Sequence, residues 1–253
     1  KKIAANPFIT DKAAKPRVLT ITQSTYDGIL YNVEDIKEEL DGKIDTLHFD
    51  EAWLPHAAFH DFYGDYHAIG ADRPRCKESM VFSTQSTHKL LAGLSQASQI
   101  LVQDAEHQHL DRDLFNEAYL MHTSTSPQYA IIASCDVAAA MMEEPGGKAL
   151  VEESLTEALN FRRAMRKVDE EWGTDWWFKV WGPDDLSEEG LEEREAWMLK
   201  TGDRWHGFGD LAEGFNMLDP IKATIITPGL DVDGEFAERG IPAAIVTKYL
   251  AEH

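Results

Sequence analysis

Apolar positions along the chain follow two rhythms. Arg17-Val18-Leu19-Thr20-Ile21-Thr22 is short and β-branched, the pattern of a buried strand. It runs into Gln23-Ser24-Thr25-Tyr26-Asp27-Gly28, a polar turn. Val33, Ile36 and Leu40 then recur at helical spacing, with Glu34, Glu38 and Glu39 facing away, and Gly42 closes the helix. Ile44 to Phe49 is a second strand, ending at Asp50. Strand, helix, strand predicts a crossover unit and a parallel sheet with helices on its faces. Ser79 to Ser83 and Gln99 to Val102 supply a third and a fourth strand. Functional residues of such sheets gather at the carboxyl ends of the strands, where Asp27, Asp50 and Lys89 fall.

Helices dominate the second half. Asp111 to His122 predicts a helix with Leu114, Ala118 and Met121 inward. Thr123 to Pro127 is a break. Gln128 to Met142 is small and apolar, and is expected to be buried. Beyond Gly146-Gly147, the positions Val151, Leu155, Ala158, Phe161, Met165, Val168 and Trp172 step by threes and fours along one long helix. Trp176 to Trp181 and Ala223 to Thr227 predict strands, the latter stopped by Pro228-Gly229. Asp184 to Glu195 is a charge run read as a solvated face, and Ile241 to Leu250 is a helix opening after Gly240. Residues 1–16 read as a helix tail and a loop, punctuated by Pro7 and Pro16. The expected organisation is residues 1–145 as half of a major domain, 146–175 as a bridging helix, and 176–253 as the beginning of a second domain.

Composition narrows the function classes. The 253 residues are 43% hydrophobic and 10% aromatic, enough for a substantial core. With 45 acidic against 24 basic residues the formal charge is -21, which argues against nucleic acid and against an anionic membrane surface. The same charge would draw in cationic small molecules. The two cysteines, Cys76 and Cys135, form no Cys-x-x-Cys pair, and a reducing, cytoplasmic setting is expected. The best apolar run, Tyr129 to Met142, is too short to span a bilayer and carries Asp136. The chain opens without Met and ends without a helix stop signal, so a piece of a longer polypeptide is expected.

The candidate chemistry centres on Ser86-Thr87-His88-Lys89, a cluster of small hydroxyls leaving a strand end and entering an uncharged segment. A lysine in such a place suits imine chemistry better than simple solvation. Ser86, Thr87 and His88 could serve a phosphate, and Asp50, at the end of the neighbouring strand, could serve a pyridine nitrogen. From spacing alone a surface lysine after a polar turn remains the commoner outcome. Other clusters compete less well. His56, His60 and His67 with Asp61 could ligate a metal, but lie in an aromatic loop; His107-Gln108-His109 reads as a surface loop. Glu144-Pro145-Gly146-Gly147-Lys148 lacks the Ser or Thr of a phosphate loop and reads as a helix break.

Six segments together carry a resemblance. They are Thr22 to Gly28, His48-Phe49-Asp50-Glu51-Ala52-Trp53, Gln85 to Leu91, Ser95-Gln96-Ala97-Ser98, Trp205-His206-Gly207-Phe208 and Leu218-Asp219-Pro220-Ile221-Lys222. In this order they resemble the bacterial ornithine/lysine/arginine decarboxylases, and within them the lysine-decarboxylase members. The resemblance implies an α/β fold of the aspartate-aminotransferase type with a truncated α+β domain after it, and pyridoxal 5'-phosphate as cofactor. It implies Lys89 as the Schiff-base lysine, Asp50 as the pyridinium partner, Ser86 and His88 beside the phosphate or ring, and Ala52 and Trp53 near the ring. Thr123, Thr125 and Ser126 would face the phosphate or substrate of a partner subunit. It further implies decarboxylation of a basic amino acid, lysine first, with arginine or ornithine as alternatives, in a homodimer with its site at the interface and in larger assemblies. Such members carry an upstream phosphate loop and a ring-stacking histidine that this sequence lacks. A non-catalytic, dimerising fragment is therefore the reading from another class. An aminotransferase of the same fold is disfavoured by the lack of an arginine placed to grip a substrate α-carboxylate.

Overall fold

A computed structural model describes residues 7–8, 15–173, 176–183, 185–227 and 241–253. Residues 1–6 and 9–14 of the expected helix tail and loop, the Asp184 start of the charge run, the Pro228-Gly229 stop and the Gly240 helix opening lie outside the described residues. The chain divides into two units. One comprises residues 1–23, 33–55 and 67–138; the other comprises 24–32, 56–66 and 139–253.

The first unit is built on a four-stranded sheet. Its strands are β1 (Val18–Thr22), β3 (Thr46–Asp50), β4 (Met80–Gln85) and β5 (Gln99–Gln103), in the order β1-β3-β4-β5. β1, β3 and β4 run parallel, with Thr22, Asp50 and Thr84 level across the three strands. β4 and β5 pair antiparallel. The sheet is therefore mixed, not wholly parallel. The link from β4 to β5 holds one short helix, α2 (Thr87–Leu90), and no helix long enough to carry the chain back across the sheet. β1 lies at the sheet edge with Val18 exposed, which corrects the expectation of a buried strand. β-branched composition reports strand propensity and does not say whether a second neighbour is present.

Helix α1 (Val33–Leu40) buries Val33 and Ile36, and Gly42, at φ 71°, ends its overhang in a conformation only glycine adopts readily. The Asp41 carboxylate accepts the amides of Lys77, Glu78 and Ser79 and so fixes the entry to β4. Helix α3 (Arg112–His122) is capped by Asp111, whose carboxylate accepts the Asp113 and Leu114 amides. Leu114 and Met121, expected inward, are exposed. Helix α4 (Tyr129–Met141) was expected to be buried, yet Ala138 is its one buried residue, and Tyr129, Ile132, Val137 and Met141 are exposed. Hydrophobic content sets a preference for cover and carries no information about which polymer supplies it.

The second unit is organised around helix α5 (Gly146–Trp172). Its buried stripe is Gly147, Val151, Leu155, Leu159 and Arg162, so the expected phase holds at Val151 and Leu155 and then shifts by one. Phe161 and Trp172 are exposed. The shift has a physical cause. Arg162 turns inward, its guanidinium donating to the carbonyls of Trp181, Pro220 and Lys222 and lying 5.1 Å from the ring centroid of Trp197. Burial lowers its pKa to about 10. The strands of this unit are short. β2 (Ile29–Tyr31), unrecognised in the sequence, pairs antiparallel with β7 (Asn216–Leu218), and β6 (Lys179–Val180) with β8 (Ile225–Ile226). Asp27 lies in the exposed turn before β2, in a different unit from Asp50 and Lys89. A final helix, α6 (Ala243–Glu252), exposes Ile245, Tyr249 and Leu250.

Candidate active site

The carboxyl ends of β3 and β4 bring together the residues singled out in the first unit. Asp50 is the last residue of β3. Its Oδ1 accepts the Ala52 amide at 3.1 Å, and its carbonyl accepts the Gln23 amide at 2.9 Å. One carboxylate oxygen is thus held by the turn that follows. On the same face, two residues back, the His48 ring sits between two hydroxyls, Thr20 Oγ1 at 3.2 Å and Thr84 Oγ1 at 3.1 Å. His48 was not among the sequence-predicted residues, although its two-residue spacing from Asp50 marks the shared face.

Beyond β4 the chain turns into α2. Ser86 precedes the helix and its hydroxyl makes no capping bond. Thr87 is buried and its Oγ1 has no hydrogen-bond partner. His88 Nδ1 lies 2.8 Å from the Ala97 carbonyl; a carbonyl only accepts, so Nδ1 is the donor of this bond and Nε2 is left for another partner. Lys89 is half-buried, and its Nζ lies 4.6 Å from the Trp53 ring centroid. At that distance the ring attracts the ammonium by about 0.5–2 kcal/mol, depending on how far water is excluded. Gly93 lets the return loop close onto this turn, since a Cβ there would stand 3.2 Å from the His88 amide nitrogen and 2.9 Å from the Ala97 Cβ.

Lys89, Trp53, Asp50, Ala52, Ser86 and His88 therefore lie on two consecutive strand ends and their turns. Thr123, Thr125 and Ser126 do not join them. They form the link between α3 and α4, where the Thr123 amide caps α3 on Tyr119 and residues 124–126 are exposed. The histidines weighed as metal ligands are engaged elsewhere. His56 is buried with Nε2 3.5 Å from Asp219, and His60 Nδ1 accepts the Phe62 amide. Among the described residues no three His, Cys, Asp or Glu side chains are grouped to hold a metal. Burial raises the Cys76 thiol to about 11, so it is a core group with no thiolate character.

The donor set suits a phosphorylated pyridine aldehyde. It has an amine on a flexible stem, a carboxylate oxygen that can accept from a ring N–H, an unshared buried hydroxyl at Thr87, and a second hydroxyl at Ser86.

The family model described as Orn/Lys/Arg decarboxylase, major domain, matches residues 1–253. The chain belongs to the Orn/Lys/Arg decarboxylase family. Lysine decarboxylase LdcA of Pseudomonas aeruginosa is 50% identical over 99% of the chain, and the constitutive lysine decarboxylase of Escherichia coli is 43% identical over 100% of the chain, each match covering 33% of the relative. The biodegradative arginine decarboxylase of Escherichia coli is 40% identical, and the inducible ornithine decarboxylase of the same organism 29%. The solved structure of lysine decarboxylase A from Pseudomonas aeruginosa superposes with a TM-score of 0.92 over 99% of the chain, covering 34% of that structure. The chain spans about a third of the length of these relatives. Of the segments that carry the resemblance, His48 to Trp53 and Gln85 to Leu91 build the β3–β4 site, and Leu218 to Lys222 holds the buried Asp219.

Glu51, in the first of those segments, does not stand out in the sequence by type. It is fully buried, and its carboxylate is raised above the ordinary range by burial, against the lowering effect of Ser83, Gln85, the Ala68 amide and Lys37. The signal was available: Leu47 and Phe49 point into the core, and alternation puts Glu51 on the same side.

Proposed function

We propose that this chain is the part of a decarboxylase for basic amino acids that carries the cofactor lysine, with L-lysine as the substrate. The reading rests on Lys89 held over Trp53 one turn beyond β4, with Asp50 at the end of the adjacent strand β3, in a chain 50% identical to a lysine decarboxylase. Arginine and ornithine decarboxylases are more distant relatives, at 40% and 29%.

Pyridoxal 5'-phosphate supplies the electron sink that takes up the pair released when the Cα–carboxylate bond breaks. Lys89 Nζ is the amine that binds it. Asp50, oriented through the Ala52 amide, holds a proton at the ring nitrogen with its second oxygen. The Ser86 and Thr87 hydroxyls donate to the phosphate, and His88 stands beside the phosphate or the ring. Trp53 covers one side of the Lys89 stem and keeps water from it. Thr123, Thr125 and Ser126 serve the same site of a second subunit in a homodimer, from which larger assemblies are built. The surplus of acidic groups favours the approach of a cationic substrate. The setting is cytoplasmic. Residues 1–145 act as the second half of the cofactor domain, 146–175 as a bridge, and 176–253 as the start of the following domain.

The test is made on the full-length protein. Incubated with pyridoxal 5'-phosphate and reduced with borohydride, it should yield one labelled peptide, containing Lys89. Lys89→Ala should abolish label and activity. Asp50→Asn should retain the label while activity falls on the order of a hundredfold or more, the scale of removing one preorganised electrostatic group. Label on another lysine overturns the assignment. Turnover of arginine or ornithine above lysine overturns the substrate.

A further inference from the structure

The Glu51 carboxylate bonds none of the residues assigned to the cofactor, yet it ties together both strand ends that present them. Its Oε1 accepts the Ala68 backbone amide at 2.6 Å, and its Oε2 accepts the Ser83 hydroxyl at 2.5 Å and the Gln85 side-chain Nε2 at 3.0 Å. Ala68 is gripped from its other side too, because its carbonyl accepts from Lys37 Nζ at 2.7 Å. Lys37 is itself buried and paired with Glu34 at 3.1 Å. Gln85 passes the network on by accepting from Gln99 at 2.8 Å. One carboxylate thus ties the end of β3 to β4, to the loop at Ala68 and, through Gln85, to β5. Burying an ammonium and a carboxylate costs several kcal/mol per ion after relaxation. An apolar side chain would fill the same space without that cost, but it could not bind three donors on two segments.

The backbone carries the effect to the site. The Glu51 amide donates to the Thr84 carbonyl at 2.9 Å, and the Leu54 amide to the Glu51 carbonyl at 2.8 Å. Asp50 precedes Glu51, Trp53 lies inside the turn that the Leu54 bond closes, and Thr84 and Gln85 lead directly into the turn that ends at Lys89. We propose that Glu51 is a positioning residue that locks the ends of β3 and β4 together and thereby sets the spacing of Asp50, Trp53 and Lys89. The proposal rests on the reading of Lys89 and Asp50 as the cofactor-binding pair.

The experiment compares Glu51→Ala and Glu51→Gln with the wild type, all as full-length protein. Three readouts are taken besides activity: amide exchange at Ala68 without cofactor, the pH midpoint of the visible cofactor band, and borohydride labelling of Lys89. Glu51→Ala should speed exchange at Ala68, move the pH midpoint of the band and lower kcat about 10–100-fold with KM changed little, because a shift near 1 Å in reacting groups costs on that order. Glu51→Gln keeps the shape and one acceptor, and should recover most of the band position and of kcat. A Glu51→Ala protein that melts lower but keeps the wild-type band and kcat per bound cofactor makes Glu51 a packing residue and overturns the proposal. If Glu51→Ala does not fold, Ser83→Ala removes a single donor and takes its place, and an unmoved band overturns the proposal equally. If the wild type itself places no label on Lys89, the cofactor reading has failed and the positioning role falls with it.

Discussion

Asp219 is a carboxylate without access to water that remains ionised. Burial alone would push its carboxyl up. Hydrogen bonding and charge at His56, the Lys222 ammonium at 3.3 Å and the Tyr63 hydroxyl at 2.8 Å together outweigh burial and hold it well below the ordinary carboxylate range. Because the folded value lies below the unfolded one, near 3.8, its contribution to stability is complete above about pH 4 and is lost only as the pH falls further. Asp219→Asn should cost about 3–5 kcal/mol in urea unfolding, since it leaves Lys222 buried without its partner. That deficit should stay constant from about pH 8 to about pH 5 and narrow only below about pH 4. A deficit already shrinking near neutrality would assign the effect to another group. Glu51 has the opposite sign. Its folded value is raised above 4.5, so the native state loses stability as pH rises from there through the folded value. Glu51→Gln cannot ionise, and its stability relative to wild type should therefore climb over that window and then level off. At this scale the proposed site was half legible in the sequence. Lys89, Asp50 and Ser86 stand out by type and by position at strand ends. Glu51 and His48 do not stand out by residue type, and only the two-residue alternation along β3, Glu51 with Leu47 and Phe49 and His48 with Asp50, places them.

The elements were easier to read than their phase. All four strands of the first sheet sit where the apolar runs predict, because β-branched runs bounded by turn residues have few other solutions. The direction of β5 was not legible, since strand residues are the same in parallel and antiparallel pairing and only the connecting link decides. Helix α5 shows the same division. Its length was plain, but its inner stripe passes through Leu159 and Arg162, and an arginine is not counted in an apolar period. Two substitutions measure the stripe. Leu155→Ala should cost about 2–5 kcal/mol, the range for a buried leucine. Phe161→Ala, at a site 40% exposed, should change stability by under about 1 kcal/mol. The helix start gives a sharper case. Glycine to alanine inside a helix ordinarily gains about 0.5–1 kcal/mol. At Gly147 the added Cβ would stand 2.5 Å from the Met142 carbonyl oxygen, and at Gly146 2.7 Å from that of Met141. Gly147→Ala should therefore destabilise despite its better propensity, by about 1–3 kcal/mol, the cost of overpacking. A stabilised variant would mean that the α4–α5 link can open without loss.

For the whole molecule, charge and apolar surface pull in different directions. A formal charge of -21 opposes association of like chains, while α3 and α4 leave Leu114, Leu120, Met121, Tyr129, Ile132 and Val137 exposed. Scattered apolar residues on a surface call for no account, but two consecutive helices with almost no buried positions do. The chain covers about a third of its relatives, so the cover can come from the remainder of the polypeptide or from the second subunit proposed above. A single substitution separates these from a face that stays wet. Ile132 is 55% exposed, and at such a position a change to glutamate costs within about 0.5 kcal/mol if water remains its neighbour. If another surface covers it, the same carboxylate is desolvated without a partner and costs several kcal/mol. In the full-length protein, Ile132→Glu is expected to do the latter. If the cover is a second subunit, light scattering should show a smaller species, and activity should fall on dilution and recover on concentration, because dissociation follows mass action. If the cover is the rest of the same polypeptide, the melting midpoint should fall with no dependence on concentration. A wild-type mass together with a wild-type midpoint would mean that the face is solvated, and would remove the link between α3 and α4, with Thr123, Thr125 and Ser126, from the proposed interface site.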